Sequence, residues 1–163
     1  MITIRPHTPE DLAAIAGLIG TLGYPATADV VAQRMSALSP DHRTLLAEVG
    51  GEVAGFIGLV ALAVYEHSSR IGYILALSVS PDHQRQGVGK KLLQAAENCF
   101  RELGVGDIRV SSGLHREEAH RVYEAAGYER NGAAFPEGAG GGGLRGRGAG
   151  GVHPGLPRVG EAA

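Results

Sequence analysis

The stretch that decides the fold is Ala76-Leu-Ser-Val-Ser-Pro-Asp-His-Gln-Arg-Gln-Gly-Val-Gly-Lys-Lys-Leu-Leu93. An apolar run closes at Ser80-Pro81-Asp82, a short polar loop follows, and Gly87-Val88-Gly89 opens an apolar-periodic helix. A strand, a glycine loop and a helix N-terminus in that order make an anion site. The free N–H groups of the first helical turn point outward, and the helix dipole favours negative charge there. Glycine lets the backbone approach a phosphate where a side chain would block it. On these residues alone the loop grips a diphosphate-bearing ligand, a property that a nucleotide-binding protein would share.

Upstream of the loop, Thr3-Ile-Arg5 reads as a first strand. Thr8-Pro-Glu-Asp11 is a helix start: Thr8 can cap, Pro9 suits the first helical position and Asp11 sits where a capping-box carboxylate belongs. Leu12, Ile15, Ile19 and Leu22 then share one helical face, and Gly23 ends it. Thr27 can cap a second helix carrying Val30, Val31, Arg34 and Leu38. Strands are expected over Thr44–Val49, Val53–Tyr65 and Ile71–Val79, the first two joined by a Gly50-Gly51 hairpin turn. Downstream, a helix from Val88 to Leu103 turns Val88, Leu92, Ala96, Phe100 and Leu103 inward. Asp107–Ser112 is a strand, and Glu117–Ala126 a short helix stopped by Gly127. The order β-α-α-β-β-β-α-β-α, with at most one final strand, predicts an α/β (α+β) layer. Its central sheet is mixed and mostly antiparallel, flanked by helices, with a meander feeding a β-α-β crossover.

A chain of 163 residues with 44% hydrophobic content is expected to form one domain with its own core. Net charge of −2 argues against a nucleic-acid or membrane partner. The single cysteine, Cys99, excludes an internal disulfide and reads as a small packing residue of its helix. No His, Cys and carboxylate cluster has metal-ligand spacing, so no metal is expected. With no basic-plus-apolar leader and no apolar run of membrane-spanning length, the expected location is cytoplasmic.

With Gln84-Arg-Gln-Gly87-Val-Gly89 and its flanks Leu75–Pro81 and Gly89-Lys-Lys-Leu-Leu, the chain resembles the GNAT superfamily of acetyl-CoA-dependent N-acetyltransferases. The family's main motif is Gln/Arg-x-x-Gly-x-Gly/Ala at a strand–helix junction. A second motif follows at the expected distance: Ala119-His-Arg-Val-Tyr-Glu-Ala-Ala-Gly-Tyr128, like Ala-x-x-x-Tyr-x-x-x-Gly-Phe/Tyr. The resemblance covers residues 2 to 131, a GNAT domain over 1–131, and implies acetyl-CoA as co-substrate. The coenzyme's pyrophosphate would sit on the amides of Gln84, Arg85, Gln86, Gly87, Val88, Gly89 and Lys90. The pantetheine arm would run beside the strand ending at Val79, like an added strand. Backbone N–H groups near Leu77, Ser78 and Val79 would polarise the thioester carbonyl. By resemblance Tyr123 occupies the position of the general acid that protonates the departing thiolate; its other reading, which the resemblance outweighs, is a buried aromatic of the helix's apolar face. The implied partner is a small-molecule primary amine, with a protein N-terminus or lysine as the other acceptor, and a homodimer is left open.

The chain departs from the family at two positions. Several members place a glutamate early in the strand before the glycine loop, as base for the incoming amine; here that position is Tyr73, and no carboxylate replaces it on that strand. Ordered water, Glu66 or His67 are the remaining acceptors for the amine's proton. Many members carry Asn seven residues before the tyrosine; here it is Arg116, which either binds an anion or covers the helix surface. The stretches Gly55–Leu59, Ile71–Ile74 and Glu118–Tyr123 are similar to aminoalkylphosphonate N-acetyltransferases. The missing base leaves a second class of function open, an acyl-CoA-binding or regulatory module with little catalysis. His83, just before the loop, reads as a surface residue, and Arg121 as a contact to phosphates or a solvated charge.

Composition changes at Gly132. The 32 residues from there to Ala163 hold 12 of the 26 glycines, and the tail 132–163 is expected to be disordered. Only Arg145 and Arg147 support an Arg-Gly nucleic-acid reading, and no aromatic interleaves them. Family members often end in a strand like Gly-x-Arg-Phe-Leu/Val-Lys-x-Leu, whereas this chain has Gly132-Ala-Ala-Phe-Pro-Glu-Gly-Ala139. One allowed set of codons places Arg-Phe-Leu-Lys-Glu-Leu in the adjacent reading frame. The tail therefore reads as a frameshift product after about Ala133, with a truncated final strand.

Overall fold

The computed structural model describes residues 1–111, 117–130 and 143–146. The strands are β1 (Ile2–Pro6), β2 (His42–Val49), β3 (Glu52–Leu62), β4 (Arg70–Val79), β5 (Val105–Ser111), β6 (Glu129–Arg130) and β7 (Gly143–Gly146). The helices are α1 (Leu12–Thr21), α2 (Ala28–Ser36), α3 (Val88–Glu102) and α4 (Glu117–Ala125), with single 3-10 turns at Pro9–Asp11 and Pro81–His83. Among the described residues they form one sheet ordered β1-β2-β3-β4-β5-β7-β6. Every pairing is antiparallel except β4 with β5. The mixed, mostly antiparallel sheet expected from the sequence is present, and α3 is the crossover that the parallel pair requires.

Alternation along the strands divides the core into two layers. Leu45, Ile57, Ile74 and Leu77 meet Leu92, Ala96 and Phe100 of α3 on one face. Leu46 and Phe56 meet Ile15, Leu18 and Val31 of α1 and α2 on the other. Gly72 shows how tightly α3 lies on the sheet: a Cβ there would come within 2.6 Å of the Phe100 ring.

Local signals act as their chemistry dictates. The amide of Thr8 donates to Asp11 Oδ2 at 2.7 Å, the reciprocal half of a capping box. Arg5 adds a two-pronged contact to the same carboxylate, 2.8 Å to each oxygen, and its Nε donates to Glu48 Oε2 at 2.6 Å. One guanidinium thus ties β1 to β2 and to the entry of α1. Thr27 Oγ1 accepts from the amide of Val30 at 3.3 Å and caps α2. Gly50 and Gly51 both take positive φ, 60° and 83°, as a two-residue hairpin turn between β2 and β3 demands.

Three expectations change. β3 stops at Leu62 rather than Tyr65, because pairing with β4 ends at Leu62–Ile71. A two-residue β6 follows α4. Within the glycine-rich tail, Gly143–Gly146 is not without structure: it forms β7, bonded to β5 across Ile108–Ser111 and to β6. Strand pairing is backbone chemistry and needs no apolar side chains from the added segment. The family-like ending sought at Gly132–Ala139 lies outside the described residues.

Candidate active site

The glycine loop is built by alternation of backbone conformation. Gln84 is extended, Arg85 turns left-handed with φ of 61°, and Gly87 is left-handed again with φ of 83°. A left-handed arginine is an uncommon conformation, held here by the turn on either side of it. His83 N–H donates to Ser80 O at 2.9 Å, and Gln86 Nε2 donates to Asp82 O at 3.1 Å, which closes the loop on itself. The amide of Lys91 makes the first turn-to-turn bond of α3, to Gly87 O at 3.0 Å. The amides of Val88, Gly89 and Lys90 therefore have no acceptor within the helix and stand at its positive end. His83 differs from its sequence reading: it is half-buried, and its Nδ1 is enclosed without a hydrogen-bond partner.

The strand feeding the loop carries an irregularity that composition does not announce. Gly58 pairs with Ala76 but Leu59 pairs with Ile74, so Leu75 is one residue too many for β3. This bulge turns Leu75 and Ala76 to the same face, where both line a cavity under α1 and α2. It also sets where β4 leaves its other neighbour: pairing with β5 ends at Ile74–Val110. Beyond that pair, among the described residues, the edge of β4 from Leu75 to Val79 has β3 on one side only. Leu77 points into the α3 layer and Ser78 Oγ donates to Leu18 O at 2.9 Å, so side chains of both faces hold this open edge in place. Leu77, Ser78 and Val79 thus lead directly into the left-handed loop, and one backbone edge joins the two predicted halves of the coenzyme site.

Tyr123 sits on α4 and is 2% exposed, with Tyr128 edge-on at 5.7 Å between ring centres. Tyr128 in turn donates to Glu97 Oε1 of α3 at 3.0 Å, and burial first, then the Glu97 charge, push its hydroxyl well above the usual tyrosine range. α4 packs on the start of α3 at Gly89, where a Cβ would lie in contact with both methyls of Val122, the neighbour of Tyr123, at 3.4 Å. His120, one turn before Tyr123, is buried with Nε2 unpartnered. Arg121 is exposed, and Cys99 is half-buried with a thiol raised first by burial and then by Glu102, in keeping with a packing role.

The remaining predicted residues do not gather at the bulge. Tyr73 lies on β4 beside β5, its hydroxyl 3.5 Å from Arg109 Nη1. Exposed Glu66 and half-buried His67 occupy the turn between β3 and β4. None of the three lines the cavity that begins at the bulge. Arg116 lies outside the described residues. That cavity, about 420 Å³, is what sequence reasoning missed. Its walls come from α1, α2, β2, β3 and β4, with Ile19, Leu22, Met35, Phe56 and Leu75 apolar and Arg34 and His42 polar. Arg34 could have been noticed: it stands between Val30 and Leu38 at helical spacing, a charge within an apolar stripe. Among the described residues no group of three or more His, Cys or carboxylate side chains could hold a metal, and no helix is long and apolar enough to cross a membrane.

Comparison with known proteins agrees with this geometry. The profile of the acetyltransferase (GNAT) family matches residues 13–128. The aminoalkylphosphonate N-acetyltransferase of Salmonella typhimurium is 33% identical over 133 residues, covering 78% of this chain and 85% of that protein. The aminoglycoside N(6')-acetyltransferase type 1 of Stenotrophomonas maltophilia is 31% identical over 133 residues, 78% of this chain and 86% of that one. A GNAT family acetyltransferase structure from Staphylococcus aureus superposes with a TM-score of 0.69 at 24% identity, covering 83% of this chain and 97% of that one, a likeness of fold. The family match and these relatives show an acyltransferase that draws on acetyl-CoA. The chain belongs to the acetyltransferase (GNAT) family and is an N-acetyltransferase.

Proposed function

We propose that this enzyme moves an acetyl group from acetyl-CoA to the primary amine of a small molecule, with Tyr123 as general acid. The observation that carries the proposal is continuity. The edge of β4 that is unpaired among the described residues runs without interruption into a left-handed loop at the N-terminus of α3, and the helix bearing Tyr123 is seated against that loop through Gly89 and Val122. The site suits the co-substrate. Gly87 needs no side-chain room but needs positive φ, and the orphan amides of α3 match the charge of a pyrophosphate. Acetyl-CoA supplies the activated acetyl thioester. The chain's residues do the rest: Val88, Gly89 and Lys90 amides hold phosphate, the β4 edge from Leu77 to Val79 aligns the arm, and Tyr123 offers a proton beside it. Bringing amine and thioester into one cleft supplies much of the rate through proximity. The two relatives are named for small amines, which supports a small acceptor over a protein N-terminus or lysine. The reading is of a cytoplasmic enzyme that needs no metal and engages neither nucleic acid nor membrane.

The test is acetyl-CoA titration followed by thiol release against a panel of amines. The panel is run on this chain and on a version with the adjacent frame restored after Ala133. Tyr123→Phe is expected to lower kcat by about a hundredfold or more and to change its pH profile. Unchanged activity and profile in that variant would remove the tyrosine from the chemistry. The absence of any carboxylate at the position of Tyr73 favours one second reading, an acyl-CoA-binding module. Binding of acetyl-CoA with no turnover on any amine would favour it.

A further inference from the structure

The charges around the bulge cavity point to the kind of acceptor it takes. Among the described residues no aspartate or glutamate lines it, although the chain as a whole is acidic. Asp41, adjacent in sequence to its lining residue His42, is turned to Arg70 at 3.6 Å. The ionic groups on the wall are Arg34 and Arg43, with His42 beside them. Arg43 is committed elsewhere. Its Nη1 donates to the carbonyls of Pro40 and His42, and its charge bears on the Cys99 thiol of α3, across the sheet from the cavity. Arg34 has no such engagement: it is exposed on the last turn of α2, and no ion pair holds it among the described residues. The rest of the wall is mostly apolar, with Thr44 and Tyr24 as its neutral polar residues, and about 420 Å³ is the size of a small-molecule site.

We propose that this cavity selects an amine that also carries an anionic group, with the anion paired to Arg34, an apolar stem along Met35, Phe56 and Leu75, and the amine at the bulge. The proposal rests on the acetyl-transfer reading of the site. Its physical content is the sign of the charge. An arginine presents a two-pronged fork suited to carboxylate or phosphonate oxygens. A second ammonium group in the acceptor would meet that guanidinium with no carboxylate to balance it, at a cost that an apolar wall raises. The cavity therefore discriminates against polyamine-like acceptors and in favour of amino acids, aminophosphonates and their chemical kin.

The experiment compares four primary amines with the same three-carbon stem, ending in phosphonate, carboxylate, hydroxyl or ammonium. Thiol release is followed at fixed ionic strength in the wild-type enzyme and in Arg34→Gln and Arg34→Lys. The wild type is expected to favour the anionic acceptors over the hydroxyl compound by about tenfold in kcat/KM, chiefly through KM, with the diamine poorest. Arg34→Gln brings the ratio of anionic to neutral acceptor close to one, and Arg34→Lys keeps most of it. Equal or better turnover of the diamine in the wild type overturns the proposal, and so does an Arg34→Gln variant that leaves the ratio intact. Either result leaves acetyl transfer standing. Release of no thiol with any of the four, in an enzyme that binds acetyl-CoA, overturns the acetyl-transfer reading and the selectivity with it.

Discussion

Gly55→Ala tests the claim that the β4 edge is held rigidly between its two layers. Gly55 lies on β3, and a Cβ added there would meet the carbonyl oxygen of Ser78 at 2.8 Å, Leu92 Cδ1 at 3.1 Å and Val88 Cγ1 at 3.3 Å. The leucine is the end of a flexible side chain and can turn aside. The Ser78 carbonyl cannot: it is backbone, in a residue whose hydroxyl is bonded to Leu18. Relief requires β4 to move by several tenths of an ångström at the stretch proposed to align the thioester. Forcing one extra methyl into a packed site costs about 2 kcal/mol. For a chain of this size that lowers Tm by roughly 4–8 °C. The displaced edge is expected to weaken acetyl-CoA more than it weakens 3',5'-ADP, whose contacts would lie with the nucleotide end of the coenzyme. Thermal melts with each ligand, and KM for acetyl-CoA, read the two effects separately. A variant whose Tm falls by less than 1 °C with KM unchanged would refute the reasoning, because the clash would then have been absorbed without moving the strand.

Two further outcomes follow from the charges. Arg5, followed by the amide and hydroxyl of Thr8, holds the Asp11 carboxyl well below the usual carboxylate range. A group depressed by folding contributes stability above its unfolded value, near 4, and loses it as pH falls toward the folded value. Wild-type stability is therefore expected to drop below about pH 4 more steeply than that of Asp11→Ala, which itself costs about 1–2 kcal/mol at neutral pH through the lost cap and ion pair; urea melts from pH 2 to 7 measure both, and parallel curves would dismiss the assignment. The second concerns the acceptor's proton. With no carboxylate among the described residues of the cavity wall, the acidic limb of kcat/KM should follow the amine's own pKa across a fluorinated series, and a limb that stays fixed would identify a base in the protein.

The parts of the site that were legible in the sequence are those made by short-range chemistry. The glycine loop, the caps at Thr8 and Thr27 and the inward stripe of α3 each lie within a few residues, and each formed as its pattern implied. The bulge was not legible. Leu75 sits in an apolar run that alternates no differently from its neighbours, and its displacement follows from pairing with Gly58 and Leu59 of β3, outside its own strand. The open edge of β4 was implied only through family resemblance, since its extent depends on where β5 stops. Strand β7 was hidden for the opposite reason. Composition argues from side chains, and a segment of Gly, Leu, Arg and Gly has little to bury, yet an edge strand needs only donors and acceptors in register.

The missing glutamate looks different once the cavity is known. Sequence reasoning sought one base to replace another and reached Glu66 and His67, neither of which lines the cavity. The cavity offers a different resolution. An apolar wall disfavours a charged ammonium and lowers the pKa of an amine bound there. An acceptor anchored by its anion at Arg34 gains its binding energy at the far end of the stem and can shed the amine's proton to water on entry. Selection of an anionic acceptor then falls to Arg34, and release of the amine proton to the apolar wall at the bulge.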